Sequence, residues 1–316
     1  MQLTDSGTVQ VLADGGFKFP TTVAIRGTDA WVPQGQLDHY VGGNPAPPDL
    51  PFTVASVPLA GGGVGAAAID LPGTDLLYPE GIASAADGTL YVGSMKTGKV
   101  FKVPAGSMTA TQFVADGVLK RGVLGLRVDA DRGLLWACDS DPGEMMPGGD
   151  IVALKLSDGT EASRHAMSAT SLCNDMIVDP GGNVWATDSF GGAIYRVAAA
   201  DVNGASAAQV WLTDPKITPP MGGFGANGIA LVSGKLFISV TASGTTGASM
   251  LVSADPASEN PASSLKIVAL TEAGAPAQLS GPDGILRYGD TELLVVENGF
   301  IAPNKQRLIK VTFDTK

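Results

Sequence analysis

Six recurrences of one strand–turn–strand pattern, Gly and Asp at the turns inside them, and a spare strand at each chain end predict an all-β fold, a six-bladed β-propeller. The unit is a short apolar strand, a polar turn, and a second strand rich in Trp, Tyr, Leu and Val. It reads FPTTVAIRGTDAWVPQG from Phe19, YPEGIASAADGTLYVGS from Tyr78 and VLGLRVDADRGLLWACD from Val123. It returns as CNDMIVDPGGNVWATDS from Cys173, ANGIALVSGKLFISVTA from Ala226 and PDGILRYGDTELLVVEN from Pro282. Successive copies begin roughly 45 to 60 residues apart, the length of a four-stranded blade.

The turns within the copies carry the residues that tight hairpins need. Ala86-Asp87-Gly88, Pro180-Gly181-Gly182 and Ser233-Gly234 all tolerate a positive φ. Between copies lie further strands: VFKVP after Lys99, IYRVA after Ala193 and LKIVAL from Leu265. No segment sustains a helical period. The chain ends on RLIKVTF (Arg307 to Phe313), the third strand of the sixth blade, which lacks an outer strand. TVQVLAD (Thr8 to Asp14) precedes the first copy and is free to supply it. Closing the ring with both chain ends leaves no large bare sheet edge, so residues 1–316 are expected to form one domain.

Composition excludes several classes. With 20 Lys and Arg against 31 Asp and Glu, the formal charge of −11 disfavours phosphate backbones and anionic membranes. No apolar run approaches the ~20 residues of a membrane span. The opening MQLTDSGTVQ has no secretory leader pattern, so the cytoplasm is the default compartment, with periplasm or secretion open if a leader was removed. Cys138 and Cys173 are too few for a disulfide framework or a zinc site. Each lies in an apolar strand context and reads as a free buried thiol, a mutual disulfide being the alternative.

The first strand of each copy should line the central tunnel. Aligned there, the copies present Thr21, Glu80, Leu124, Asn174, Asn227 and Asp283. Two carboxylates and two amide carbonyls are hard oxygen donors suited to one Ca²⁺, although another divalent ion could take the same place. Without a cation, Glu80 and Asp283 would be like charges buried together. Each residue alone also fits an ordinary turn, since Asn-Gly and Asp-Gly are common turn signals. The joint pattern over four repeats points to a site.

In these four motifs, PEG, CND, ANG and PDG, the chain resembles the calcium-dependent propellers of the regucalcin (senescence marker) and gluconolactonase family. Diisopropylfluorophosphatase and the paraoxonases are its more distant relatives. The resemblance implies a tunnel calcium on Glu80, Asn174, Asn227 and Asp283, with the Leu124 copy skipped. It also implies a hydrolase of lactones or related esters, in which Asp283 is base or nucleophile and Asn174 and Asp175, the latter facing the tunnel behind the ligands, complete the catalytic set. Phosphotriester hydrolysis at the same site is one alternative; a metal-free strictosidine-synthase-like or non-catalytic binding propeller is another. Two departures stand out: Glu80 sits in the second copy, not the first, and no basic counterpart to the family's sugar contacts is evident.

Asp139 and Asp188, at equivalent second-strand ends, read as turn-forming residues, and His165 as structural. His39 lies in a long connection, GQLDHYVGGNPAPPDL, expected on the metal face. Apolar connections on that face offer Phe17, Phe19, Leu76, Tyr78, Met145, Met146, Met221, Phe224 and Phe300. His39, Tyr78, Met221, Phe224 and Phe300 are the substrate-pocket candidates. The expected partner is a small lactone or ester with apolar bulk; no nucleic acid or membrane is expected, and the expected state is a monomer.

Overall fold

A computed structural model describes residues 2–65, 67–143 and 148–316 as six sheets arranged as the blades of a propeller, antiparallel except where Leu3–Asp14 runs parallel to Ala269–Glu272. The inner strands are Ala24–Arg26, Pro79–Ser84, Val123–Asp129, Cys173–Val178, Ala226–Val232 and Pro282–Arg287. Each opens one of the sequence copies, and each pairs with the second strand of its own copy. The turns form as their residues require: Asp87 Oδ1 accepts from the Thr89 N–H, and Ser233 and Gly234 both take positive φ. Large apolar side chains fill the wedges between blades, with Trp136, Trp185 and Phe237 almost fully buried. The helical pieces are single turns at Leu37–His39 and Pro261–Ser264. Among the described residues, no helix is long and apolar enough to cross a membrane.

Ring closure follows the expected scheme with an addition. Leu3–Asp14 lies antiparallel to Gln306–Thr315, with Thr8 opposite Thr312 and Val9 opposite Val311. The sixth sheet does not stop there. A hairpin of Ala269–Glu272 and Ala275–Ala277 adds outside the N-terminal strand, so that strand is enclosed on both edges. LKIVAL is therefore divided. Lys266–Ile267 is the outer strand of blade five, Val268 makes the crossing, and Ala269 begins the hairpin of blade six. Arg307 ties the seam, bonding Glu297 at 2.6 Å and reaching Glu272 at 3.4 Å.

The cysteines are not free. Cys138, near the end of a second strand in blade three, and Cys173, opening the inner strand of blade four, form a disulfide with Cα atoms 5.2 Å apart. Strand context alone indicated burial, which holds, but not that adjacent blades bring these two positions to one level. The bond staples two blades beside Asn174.

Two outcomes follow from this architecture. Deleting residues 2–14 removes the strand between the seam and its covering hairpin. The truncated protein should be aggregation-prone or markedly less stable by thermal melting and size-exclusion chromatography. Replacing both cysteines by Ala opens a loop with a separation of 35 residues. That change should cost roughly 3–4 kcal/mol and lower the melting temperature by about 5 °C in calorimetry.

Candidate metal and active site

Pairing register puts the six aligned positions at one level of the tunnel. Pro79 pairs with Ser94, Val123 with Asp139, Cys173 with Asp188, Ala226 with Val240 and Pro282 with Glu297; a lone bridge joins Pro20 to Gln34. One residue further on lie Thr21, Glu80, Leu124, Asn174, Asn227 and Asp283. In blades two to six the ladder slips at this point. From Pro79 to Ile82, for example, the inner strand advances three residues while its partner advances two, from Ser94 to Val92. Such a bulge re-aims the side chain it carries.

Glycine makes the bulges compatible with a closed ring. In four of them the aligned residue is followed by Gly81, Gly125, Gly228 or Gly284. A Cβ on Gly125 would stand 2.5 Å from the Asn174 carbonyl oxygen, and one on Gly228 2.6 Å from that of Asp283. Each inner strand thus rests against the backbone of the next. Carbonyls released from the ladder are taken up by hydroxyls of the preceding blade. Thr21 donates to the Glu80 oxygen at 2.8 Å, Thr187 to that of Asn227 at 2.5 Å and Ser239 to that of Asp283 at 2.6 Å.

Glu80, Asn174, Asn227 and Asp283 all line one cavity of about 40 Å³, and each is no more than 5% exposed. That is room for an ion and one or two waters. Glu80 Oε2 and Asn227 Oδ1 have no hydrogen-bond partner. Asp283 Oδ2 accepts from Asn298 Nδ2 at 2.8 Å, while Asn227 Nδ2 donates to Thr241 Oγ1 at 3.0 Å and so leaves its carbonyl for the cavity. Burial pushes the Glu80 carboxyl well above its ordinary range, and the charges of Asp283 and Asp175 push it further. Burial likewise raises Asp283, against the opposing effect of its bonds from Asn298 and Asn227. Orphaned oxygens beside two mutually repelling carboxylates fit a divalent cation of the Ca²⁺ type. Among the described residues no group of three or more His, Cys, Asp or Glu could hold a metal, so a site here depends on its two amides.

The remaining candidates divide. Phe224 and Phe300 line the cavity, with Phe19, Leu37 and Val41. Phe300 meets Phe19 and Phe224 edge-on, at centroid distances of 6.5 and 5.7 Å. Tyr78 does not line it: a φ of 47° turns the residue into the core, stacked on Tyr40 at 4.8 Å. Met221 is fully exposed. His39 folds back on its own loop, its Nδ1 donating to the Ala46 carbonyl at 2.6 Å, whereas Leu37 and Val41 of that connection roof the cavity. Met145 and Met146 lie outside the described residues. Asp175, in the position glycine occupies in four other blades, does not line this cavity. Its oxygens accept from the N–H groups of Met176 and Ile229, pinning blade four to blade five, and burial raises it to about 6. Asp139 and Asp188 accept from backbone N–H groups of the segments entering the inner strands, and His165 is buried against Ser163 and the Ser206 carbonyl.

Asn298, Thr241 and Met95 were not anticipated. They stand one residue beyond the second-strand ends paired above, which makes that position a second ring around the same cavity. The signal was available in the ends VVEN, ISVT and VGSM of the aligned copies.

No protein-family model matches the chain, and no curated protein matches it. Solved structures do. A luciferin-regenerating enzyme superposes with a TM-score of 0.67 at 12% identity, covering 97% of this chain and 95% of its own. A proposed gluconolactonase gives 0.61 at 13%, covering 99% and 94%, and a streptogramin B lyase gives 0.59 at 12%, covering 99% and 100%. The chain shares their fold. At these identities the likeness does not extend to the chemistry.

The buried repulsion has a direct consequence. In the presence of chelator, Glu80→Gln removes one of the two charges while keeping the shape. It should melt at least about 2 °C above the parent protein by calorimetry.

Proposed function

We propose that this chain is a calcium-dependent hydrolase of lactones or related esters, akin to the regucalcin and gluconolactonase propellers. The observation that carries the reading is the convergence of Glu80, Asn174, Asn227 and Asp283 on one buried cavity where Glu80 Oε2 and Asn227 Oδ1 have no partner. Those four residues would hold the ion. Bound there, Ca²⁺ would supply Lewis-acid polarisation of a substrate carbonyl oxygen.

The chain's own groups define the rest. Asn298 holds Asp283 through Oδ2, and the Asp283 carboxylate would take a proton from water or attack the carbonyl carbon itself. The Asn174 amide stands on the same wall, positioned to orient the carbonyl. Asp175 acts by position, locking the bulges of blades four and five without entering the cavity. Leu37, Val41, Phe19 and Phe300 exclude water from above. Phe19, Val41 and Phe300 also line an adjoining cleft of about 380 Å³, wide enough for an acyl chain. Among the described residues no lysine or arginine lines either space, so none of them grips a polyol by positive charge.

Three outcomes test this. Saturating Ca²⁺ should raise the melting temperature by roughly 4 °C at a hundredfold excess over its Kd. Asp283→Asn and Glu80→Gln should weaken the ion by more than about tenfold in calorimetric titration. In a panel of alkyl lactones, gluconolactone, aryl esters and phosphotriesters, alkyl lactones should be turned over fastest, each added methylene contributing about 0.8 kcal/mol of binding. Asp283→Ala should reduce turnover at least about a hundredfold. Full activity after chelation would exclude the metal from the chemistry, and a panel with no substrates and normal Ca²⁺ binding would leave a structural metal in a binding propeller.

A further inference from the structure

Below the candidate site the inner strands run on to the other mouth of the tunnel, where a second depression of about 250 Å³ opens. Its walls are mostly aliphatic, and the charged residues lining it are two arginines and Asp175. Arg127, on the inner strand of blade three, and Arg287, at the end of that of blade six, both line it. Both residues also line the adjoining depression of about 300 Å³, together with Asp129, Asp131 and Asp179.

Arg127 is the unusual one. Among the described residues its guanidinium has no hydrogen bond and no ion pair, although it is only partly exposed. Asp175 is near enough to be felt, yet its oxygens are taken by the N–H groups of Met176 and Ile229. The carboxylates of the adjoining depression are bonded within the protein or open to solvent. Asp129 bonds Arg132 and Trp136, Asp179 bonds Asn183 and Trp185, and Asp131 is exposed. Arg287 is held at the rim by the Gly289 carbonyl and Asp290. Burial lowers Arg127 from its ordinary range, and the Arg287 charge lowers it further while Asp175 opposes.

We propose that this mouth of the tunnel binds a small oxyanion, a carboxylate or a phosphate, between Arg127 and Arg287. A guanidinium presents a planar fork of donors that matches two oxygens of such a group. Arg127 is sheltered and without a hydrogen bond, and its one nearby carboxylate, Asp175, is already bonded to backbone N–H groups, which leaves the guanidinium fork for a ligand. The oxygen-lined site sits at the opposite end of the same tunnel, and the two are independent: either can fail alone.

The test is isothermal titration with inorganic phosphate and, separately, with acetate, in chelator and at constant ionic strength set with chloride. Saturable binding of either is expected, and which one binds assigns the anion. Arg127→Met should weaken it at least about tenfold, and Arg287→Met by several-fold. Arg287 is half-exposed, so its replacement leaves the fold intact and decides the matter should Arg127→Met not fold. Heats that follow ionic strength alone, or unchanged affinity in Arg287→Met, would overturn the proposal.

Discussion

The fold and the site both depend on one constraint: six inner strands must approach within backbone contact around an axis, and each must still present one chosen side chain inward. The slipped ladder answers both demands. A bulge turns the side chain towards the axis, and the residue after it, Gly81, Gly125, Gly228 or Gly284, lets the neighbouring backbone come close. Hydroxyls of Thr21, Thr187 and Ser239 then accept the task of satisfying carbonyls that the bulge takes out of the ladder. The oxygens of the candidate site are consequently held by the inner strands of four sheets.

That rigidity gives the asymmetry of the ring its meaning. Leu124 and Thr21 occupy two of the six positions, one apolar and one with its hydroxyl spent on the Glu80 carbonyl. The polar donors are thereby confined to Glu80 and to the consecutive run Asn174, Asn227 and Asp283. Above them the roof is apolar, built from Phe19, Leu37, Val41 and Phe300. Charge is concentrated at the floor of a buried space under an apolar roof, which raises the electrostatic cost of leaving it uncompensated and the benefit of placing a cation there.

Much of this was legible in the sequence because the repeating unit coincides with the part of the blade nearest the axis. The motifs at Tyr78, Cys173, Ala226 and Pro282 carry strand, turn and candidate donor together, so aligning the copies also aligned the tunnel wall. What escaped lies outside the unit. The hairpin Ala269–Ala277 was hidden because Val268 carries the chain between blades inside one apolar run. The Cys138–Cys173 bond depends on the lateral spacing of two blades, which no single copy encodes. Tyr78 and Met221 were misplaced for a local reason: in a short apolar connection, the direction of a side chain is set by φ and by the turn, as the inward Tyr78 at φ 47° and the outward Met221 show.

The central claim is that Glu80, Asn174, Asn227 and Asp283 form one coordination shell. Crystals grown with CaCl₂ test it most directly, through the anomalous and difference density on the tunnel axis. The account predicts a single ion bonded to oxygens of all four side chains at about 2.3–2.6 Å, with waters completing its shell. A tunnel holding only water at high calcium, or an ion bound elsewhere with Glu80 Oε2 and Asn227 Oδ1 still unpartnered, would contradict it.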